Sequence, residues 1–243
     1  HGPYGVRNPE WYFKNAPVTL HSERGQPNIP ELDSMRRLLG ADHHWPIDGV
    51  WGLHDFTANG AQRGRDFISY LHASYAHPTD LAAFTRLAQF VAYENHKAMF
   101  ESVHVKGGNG LLMWMSQSAW PSMVWQTYDY WHDVNGGYFG SKAGNQPINV
   151  ILDQSTMKLW AVNATPRRFC GRVLISVNDT EGNPYPSQIP WEKLDLASDA
   201  RVEVGTLPDY KTKDGIVILC VRVWDDNQAG RSIVAENNMW INQ

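Results

Sequence analysis

The octapeptide VTLHSERG, residues 18–25, decides how the fold is interpreted. Its apolar start predicts a short β-strand, which ends at the carboxylate of Glu23 and breaks at Gly25. A carboxylate at the end of a strand is held on a rigid element at the mouth of a fold. An ordinary solvated glutamate at a strand end is the alternative. The tryptophans that follow along the chain, Trp114, Trp120 and Trp125, favour a functional role for Glu23.

Helical patterns and a second strand follow this octapeptide. Proline and glycine signals predict helices at about Glu31–Leu39 and Arg63–Tyr75, and Thr79 can cap a long helix that breaks at Gly107. The continuous apolar run Leu111–Met115 predicts a parallel strand covered on both faces. The order strand, helix, strand, with long insertions at one end, is typical of part of a (β/α)8 TIM barrel. Two strands are too few to close such a barrel.

The pattern changes near Pro147 to short alternating strands separated by turn signals. The predicted strands are Ile148–Leu152, Lys158–Val162, Phe169–Val177, Ala200–Val204, Ile216–Val223 and one near Ser232–Trp240. This spacing predicts an all-β sandwich. We therefore expect two domains, an α/β domain over residues 1–147 and an immunoglobulin-like β-sandwich over residues 148–243.

Two cysteines, Cys170 and Cys220, fall in strand-like runs of the second domain. A disulfide between two packed sheets would have this placement, and so would two separately buried thiols. The sequence does not decide between them, so cysteine usage leaves the cellular compartment open.

Composition narrows the possible classes of protein and partner. Of the 243 residues, 42% are apolar and 19% are charged, which is typical of a folded globular chain. The formal net charge of −4 and the lack of a long basic run argue against nucleic acid as the main partner. No apolar stretch approaches the length that spans a bilayer, so we expect no membrane span.

Aromatic residues supply most of the candidate ligand contacts. Eleven tryptophans and ten tyrosines exceed what a core of this size needs, and indole faces are platforms for the C–H faces of sugars. The candidate contacts are Tyr4, Trp51, His54, Asp55, Trp114 and Trp120. A surface aromatic is the alternative for Tyr4, and a structural cover is the alternative for Trp120 and Trp125. The histidines near Asp55 match no standard ligand spacing, so we expect no metal.

Four segments together resemble one known family. They are GPY at residues 2–4, SERGQPNIP at 22–30, WMSQSAWP at 114–121 and WQTYD at 125–129. The ordered set resembles glycoside hydrolase family 2, and within it the exo-β-glucosaminidases, mannosylglycoprotein endo-β-mannosidases and β-mannosidases more than the β-galactosidases. The resemblance covers nearly the whole chain. It implies that residues 18–23 are the seventh barrel strand, that Leu111–Met115 is the eighth, and that the Trp114-Met115 peptide is cis.

The resemblance implies a retaining β-glycosidase with Glu23 as its nucleophile. That mechanism uses two carboxyl groups about 5–5.5 Å apart, one that attacks and one that protonates the leaving oxygen. Arg24 or a neighbouring tyrosine would stabilise the charge of Glu23. The acid should follow an asparagine on the fourth barrel strand, and no Asn-Glu pair precedes Glu23 here. We therefore expect the C-terminal part of a larger enzyme, inactive alone, whose acid/base lies outside this chain.

The implied substrate is an oligosaccharide or polysaccharide with β-mannosyl or β-glucosaminyl bonds, and the mechanism needs no cofactor. The remaining N-terminal domains of the same enzyme would be the protein partner, in a secreted or periplasmic setting. The alternative is a non-catalytic carbohydrate-binding or structural module, which the missing acid favours.

Overall fold

The computed structural model describes residues 2–56, 64–186, 192–210, 212, 215–226 and 232–242. The chain divides into two compact units. The first comprises His1–Val103 and Gly108–Asn145, and the second comprises His104–Gly107 and Gln146–Gln243. Within the described part of the chain, no helix combines the length and the apolar character needed to cross a membrane.

The first unit is mainly helical. The α-helices that begin within it are α1 (Pro9–Lys14), α2 (Leu32–Leu39), α3 (Gly49–Leu53), α4 (Gly64–Ser74), α5 (Leu81–Lys106) and α6 (Gly136–Gly144), with a 3-10 helix at Ala41–His43. The helices predicted near residues 31–39 and 63–75 are confirmed as α2 and α4. The predicted start at Arg63 lies outside the described residues.

Local signals set the ends of two helices. Helix α2 ends at Gly40, whose φ of 75° lies in the left-handed region that favours glycine. Helix α5 begins after Asp80, whose Oδ1 accepts a hydrogen bond from the Ala83 N–H at 2.8 Å. Asp80 is therefore the N-cap. The prediction that Thr79 caps this helix is wrong by one residue.

Two short strands form a parallel sheet in the first unit. Strand β1 (Leu20–Arg24) pairs with β2 (Gly110–Met113), and His21 lies opposite Leu111. The parallel pairing predicted from the apolar run is confirmed. The predicted cover on both faces is wrong, because the Leu112 side chain is 58% exposed. Among the described residues, this sheet has two strands and closes no barrel.

The core of the first unit is rich in aromatic rings. Phe84 of α5 packs against Phe56 and Trp51, with ring centroids 5.9 and 5.4 Å apart. Val91 of α5 is fully buried in the same cluster. Ile29, shortly after β1, joins it too. The segment that leaves β1 is thereby fixed against helix α5.

The second unit consists of two antiparallel sheets. Its described strands are β3 (Ile148–Asp153), β4 (Lys158–Asn163), β5 (Phe169–Asn178), β6 (Glu192–Leu196), β7 (Ala200–Thr206), β8 (Ile216–Asp225) and β9 (Ile233–Asn242). One sheet has the order β3-β4-β7 and the other β6-β5-β8-β9. The six predicted strands are confirmed. The sequence missed β6, because its alternation contains only two apolar residues, Leu194 and Leu196.

Alternating burial explains why these strands form a two-layer core. On β5, buried Val173, Ile175 and Val177 alternate with half-buried residues. Val150 of β3 and Leu219 of β8 lie in the same apolar cluster, so both sheets contribute to one core. The predicted β-sandwich is therefore present in the second unit.

The two cysteines form no disulfide. Cys170 lies on β5 and Cys220 on β8, which are neighbours within one sheet. Cys220 is opposite Ser176 in the strand register. Both thiols are half-buried. Of the two alternatives, the structure therefore has separate thiols, because the residues do not face each other across two sheets.

Candidate active site

Glu23 occupies the last but one position of β1. The register between β1 and β2 shifts between His21 and Arg24, so Glu23 lies in the irregular part of the strand. Irregularities of this kind redirect side chains and are common beside active sites. Glu23 is half-buried. Arg24 is 2% exposed, and its guanidinium packs over the rings of Trp11 and Tyr12.

A tyrosine hydroxyl contacts the Glu23 carboxylate. The Tyr4 hydroxyl donates a hydrogen bond to Oε1 of Glu23. This hydrogen bond is the largest of the causes that raise the pKa of Tyr4, so the phenol stays protonated and able to donate at neutral pH. The sequence left Arg24 and a neighbouring tyrosine as groups that could stabilise Glu23. The structure places the tyrosine on the carboxylate and Arg24 against aromatic rings.

Backbone hydrogen bonds hold the segment that carries Tyr4 against the end of β1. The Gly2 N–H donates to the carbonyl oxygen of Glu23 at 2.6 Å. The Gly25 N–H donates to the carbonyl oxygen of Pro3 at 3.3 Å. These two bonds lie on either side of Arg24 and directly follow Glu23 along the chain, so main-chain pairing holds the segment that carries Tyr4 beside Glu23.

The ends of β1 and β2 approach each other closely. The N–H of Trp114, which directly follows β2, donates to the Arg24 carbonyl oxygen at 2.7 Å. A Cβ on Gly25 would lie 1.9 Å from the Trp114 carbonyl oxygen, so this position requires glycine. The Trp114-Met115 peptide is cis, as the resemblance implies. Trp114 is 39% exposed and directly follows Met113, the last residue of β2, which pairs with Arg24 of β1.

Trp125 connects the Tyr4–Glu23 pair to a neighbouring pocket. Its indole N–H donates to the Tyr4 carbonyl oxygen at 3.4 Å, and the two rings meet edge to face with centroids 6.2 Å apart. Its own carbonyl oxygen accepts from the Met115 N–H at 3.2 Å and from the Asn28 side-chain amide at 3.0 Å. From the sequence, Trp125 could be either a ligand contact or a structural cover. It supports Tyr4 and also faces a pocket.

That pocket has a volume of about 210 Å³. Its lining residues are Asp55, Met115, Ser118, Ala119, Trp120, Ser122, Val124, Trp125 and Gln126. Two predicted ligand contacts, Asp55 and Trp120, are therefore brought together from distant parts of the sequence. The Ser118 hydroxyl, also in this wall, is buried and has no hydrogen-bond partner among the residues that the structure describes.

The pocket wall contains unusual backbone conformations. Asp55 has a φ of 75°, Val124 of 129° and Trp125 of 67°, all in a region that residues with a side chain rarely adopt. Each such conformation costs on the order of 1–3 kcal/mol and persists only where surrounding contacts hold it. Strain of this kind is concentrated at functional sites, and here it coincides with the pocket that Trp125 lines.

Asp55 and His54 differ in what they do. Asp55 is half-buried and hydrogen-bonds Ser122, and its burial raises the pKa of its carboxyl group despite that bond and the nearby His54 ring. The Nδ1 of His54 contacts the carbonyl oxygen of Pro121 at 2.8 Å, so this nitrogen carries the proton. The His54 ring stacks on Trp120 with centroids 6.3 Å apart. His54 therefore positions Trp120 in the wall.

Trp51 does not fit its predicted role as a substrate contact. Its side chain is fully buried, and its indole N–H donates to the His43 carbonyl oxygen at 2.9 Å. The ring packs against Phe56 and Phe84 in the aromatic core. Because no face of this indole is accessible, Trp51 is a core residue. Among the described residues, no group of three or more His, Cys, Asp or Glu side chains is arranged to hold a metal ion.

Buried polar side chains that the sequence did not single out hold Trp125 in place. The Asn28 amide also contacts Nε2 of His96 at 3.3 Å, while Nδ1 of His96 contacts the Ala92 carbonyl oxygen at 2.9 Å. Burial lowers the pKa of His96 to about 4, so the ring is neutral and its Nε2 accepts from Asn28. Asn28 lies within the segment 22–30 that carries the resemblance, which was the one available signal for this contact.

The chain resembles several known proteins over part of their length. No protein-family model matches it. It is similar to an exo-β-D-glucosaminidase from Streptomyces avermitilis, with 30% identity over 195 residues, 74% of this chain and 22% of that protein. It is also similar to a mannosylglycoprotein endo-β-mannosidase from Lilium longiflorum, with 28% identity over 203 residues, 76% of this chain and 21% of that protein.

A solved structure shows the same fold. The exo-chitosanase of Amycolatopsis orientalis superposes with a TM-score of 0.82 at 23% identity, over 99% of this chain and 30% of that one. The chain thus spans less than a third of the length of these relatives. Together they confirm the resemblance to glycoside hydrolase family 2 and its exo-β-glucosaminidase and β-mannosidase members.

Proposed function

We propose that the chain is part of a retaining β-glycosidase that cleaves β-glucosaminyl or β-mannosyl bonds with Glu23 as its nucleophile. The observation that carries the proposal is the environment of Glu23. Its carboxylate accepts the Tyr4 hydroxyl, and Tyr4 contacts Trp125, which lines the adjoining pocket. A carboxylate fixed by one hydrogen-bond donor beside indole walls suits attack on a bound pyranose ring.

The proposed chemistry has two steps. An Oε atom of Glu23 attacks the anomeric carbon while the bond from that carbon to the leaving oxygen breaks, and a second carboxylic acid protonates the leaving oxygen. Water, deprotonated by the same second group, then cleaves the glycosyl ester and restores the Glu23 carboxylate. Tyr4 orients the carboxylate for attack.

The second carboxyl group is proposed to lie outside this chain, on the remaining N-terminal domains of the same enzyme. We propose that residues 1–147 are the C-terminal part of a (β/α)8 barrel and that residues 148–243 are an immunoglobulin-like domain. The exposed Leu20 and Leu112 on the two-stranded sheet support further strands packing there. A secreted or periplasmic setting belongs to the same proposal.

The test uses the enzyme that contains this chain and the variant Glu23→Gln. The neutral amide keeps the shape of the side chain but is a poor nucleophile, so kcat on aryl β-glucosaminides and β-mannosides should fall by about four orders of magnitude or more. Glu203→Gln, on an exposed glutamate of β7 that pairs with Lys158, is the matched control and should leave kcat unchanged.

A covalent label separates a nucleophile from a merely structural carboxylate. Incubation with a 2-deoxy-2-fluoro-β-glycosyl fluoride should leave a glycosyl ester on the peptide that contains Glu23, as mass spectrometry would detect. Near-normal turnover by Glu23→Gln, or a label on another residue, would reject the assignment and return the carbohydrate-binding module to consideration.

A further inference from the structure

His21 lies on β1 two residues before Glu23, and the proposed mechanism gives it no role. Side chains two residues apart on a strand point to the same side. His21 and Glu23 are accordingly both half-buried. Leu20 and Ser22, which alternate with them, are exposed. The imidazole therefore lies on the side of β1 that carries the proposed nucleophile.

The His21 ring contacts the segment that carries Tyr4. Its Nε2 lies 2.8 Å from the carbonyl oxygen of Gly2, and because a carbonyl oxygen only accepts, this nitrogen carries the proton. Burial is the largest of the causes that lower the pKa of His21, so the ring is neutral at neutral pH. A neutral imidazole has a single N–H, and here that N–H is directed at Gly2.

Gly2 is held to β1 by both of its main-chain polar groups. Its N–H donates to the Glu23 carbonyl oxygen at 2.6 Å, and its carbonyl oxygen accepts from His21. Gly2 is buried, and its φ of 71° lies in the region that favours glycine. One hydrogen bond leaves a residue free to turn about it, whereas a second one from another direction fixes its orientation. The imidazole supplies that second bond.

The Tyr4 ring packs beside this anchored residue. A Cβ on Gly2 would lie 3.5 Å from Cε2 of Tyr4, which is an ordinary van der Waals distance. The hydroxyl of the same ring donates to Oε1 of Glu23. A shift of Gly2 would therefore move the Tyr4 hydroxyl relative to the carboxylate, and a displacement of about 1 Å can lower a rate by about 100-fold.

We propose that His21 is a positioning residue for the glycosidase reaction and that it acts through Tyr4 on Glu23. Its Nε2–H fixes the Gly2 carbonyl group, and Gly2 supports the Tyr4 ring. The Tyr4 hydroxyl then holds the carboxylate in the orientation for attack. The inference rests on the proposed function of Glu23. Because His21 acts through other residues, its removal should slow turnover without weakening the binding of substrate.

The first experiment measures kcat and KM of the enzyme that contains this chain, on the aryl β-glycoside that it cleaves faster. His21→Phe keeps a ring but removes the N–H, so kcat should fall about 10-fold while KM changes by less than about threefold. His21→Gln should restore kcat to within about threefold of the wild-type value, because its amide nitrogen is as many bonds from Cα as Nε2 of histidine. If the phenyl ring prevents folding, His21→Ala is the smaller replacement and should show the same loss.

His44→Phe is the matched control. Nε2 of His44 contacts the carbonyl oxygen of Arg36 on helix α2 at 3.4 Å, so the same kind of hydrogen bond is lost from another part of the first unit. This variant should keep the wild-type kcat. An unchanged kcat for His21→Phe, or a loss that His21→Gln does not reverse, would overturn the proposal.

A double-mutant cycle tests whether His21 acts through Tyr4. Tyr4→Phe removes the hydroxyl and should lower kcat by about 10- to 100-fold, and adding His21→Phe should lower it by less than about threefold further. Losses that simply multiply would show that His21 acts independently of Tyr4, and the proposal would then be wrong.

An NMR titration separates this inference from the nucleophile assignment. In the enzyme labelled with carbon-13 at tyrosine Cζ, the signal that is missing from Tyr4→Phe belongs to Tyr4. The hydrogen bond from Tyr4 to Glu23 raises the pKa of Tyr4, so His21→Phe should return this pKa towards about 10.

The two assignments can fail separately in this measurement, because it does not depend on turnover. If Glu23→Gln keeps full turnover while His21→Phe still lowers the pKa of Tyr4, the nucleophile assignment is wrong and the support of Tyr4 by His21 stands. If the folded His21→Phe enzyme keeps the wild-type pKa of Tyr4, the positioning role is wrong whatever the role of Glu23.

Discussion

The ends of β1 and β2 differ from the centre of the β-sandwich in side-chain packing and backbone regularity. In the sandwich, β5 and β8 alternate buried and half-buried residues with little interruption, and the buried ones are apolar. Around the ends of β1 and β2, buried polar side chains such as Asn28 and His96 replace apolar ones. Backbone angles there are strained, as at Val124. Regular packing stabilises the one region, and the other holds reactive groups in fixed positions.

Different interactions stabilise the two regions. A sandwich residue contributes through apolar area removed from water, about 25 cal/mol per Å². A residue near Glu23 contributes through hydrogen bonds and close packing. Its main effect is on the position of the Glu23 carboxylate, and its effect on the free energy of unfolding is smaller. Substitutions in the sandwich should therefore change the free energy of unfolding, and substitutions near Glu23 should change kcat.

The largest effect on stability should come from the sandwich core. Leu219→Ala on β8 removes a fully buried side chain from the apolar cluster and should lower the free energy of unfolding of the second unit by about 2–5 kcal/mol. Denaturant titration followed by tryptophan fluorescence measures this change. The kcat of the molecules that remain folded should be unchanged. A loss of kcat at full folding would contradict the separation of the two regions.

The free energy of unfolding of the first unit should depend on pH through Glu94. Burial raises the pKa of Glu94 on α5 to about 7, with Glu101 raising it further and Lys97 opposing. An acid whose pKa is higher in the folded state favours folding fully below its unfolded pKa, about 4.5, and this contribution is lost as pH rises towards 7.

Glu94→Gln should remove that pH dependence. Relative to the wild-type protein, the variant should gain about 3 kcal/mol in the free energy of unfolding between pH 4.5 and 7.5. Chemical denaturation at several pH values gives the difference directly. Glu203→Gln, on the sandwich surface, should retain the wild-type slope. Parallel slopes for the wild-type protein and Glu94→Gln would show that Glu94 titrates normally.

A third substitution, Gly25→Ala, should change stability less than Leu219→Ala does but should lower kcat. Gly25→Ala places a Cβ 1.9 Å from the Trp114 carbonyl oxygen, so the ends of β1 and β2 must separate. We expect a loss of about 1–3 kcal/mol in stability and about 100-fold in kcat, because displacement shifts Glu23 relative to Tyr4.

Gly182→Ala is the matched control for that substitution. Gly182 has a φ of 87°, and a Cβ there meets nothing within 4 Å, so the replacement should cost about 1 kcal/mol from backbone strain alone and leave kcat intact. Equal effects of the two alanine substitutions on kcat would contradict the prediction that the ends of β1 and β2, and not the sandwich, control the position of Glu23.

The sequence predicted regular elements more successfully than side-chain environments. Six sandwich strands and the parallel strand β2 follow from hydrophobic patterning, because alternation and continuous apolar runs are local properties. The strand β6 was missed because two alternating leucines are too short a run to give that signal. Trp51 was placed in the site because an indole near Asp55 looks the same in sequence whether it lines a pocket or fills a core. Only its ring contacts with Phe84 distinguish the two.

By itself, the sequence determined that a carboxylate lies near the end of strand β1, that a second strand follows a long helix, and that short alternating strands succeed them. These are consequences of residue type and periodicity along one stretch of chain. The tertiary structure alone decided that Tyr4 donates to Glu23 and that Asp55 shares a pocket with Trp120. Such contacts join residues far apart in the chain, so they depend on packing and backbone hydrogen bonds that no local pattern encodes.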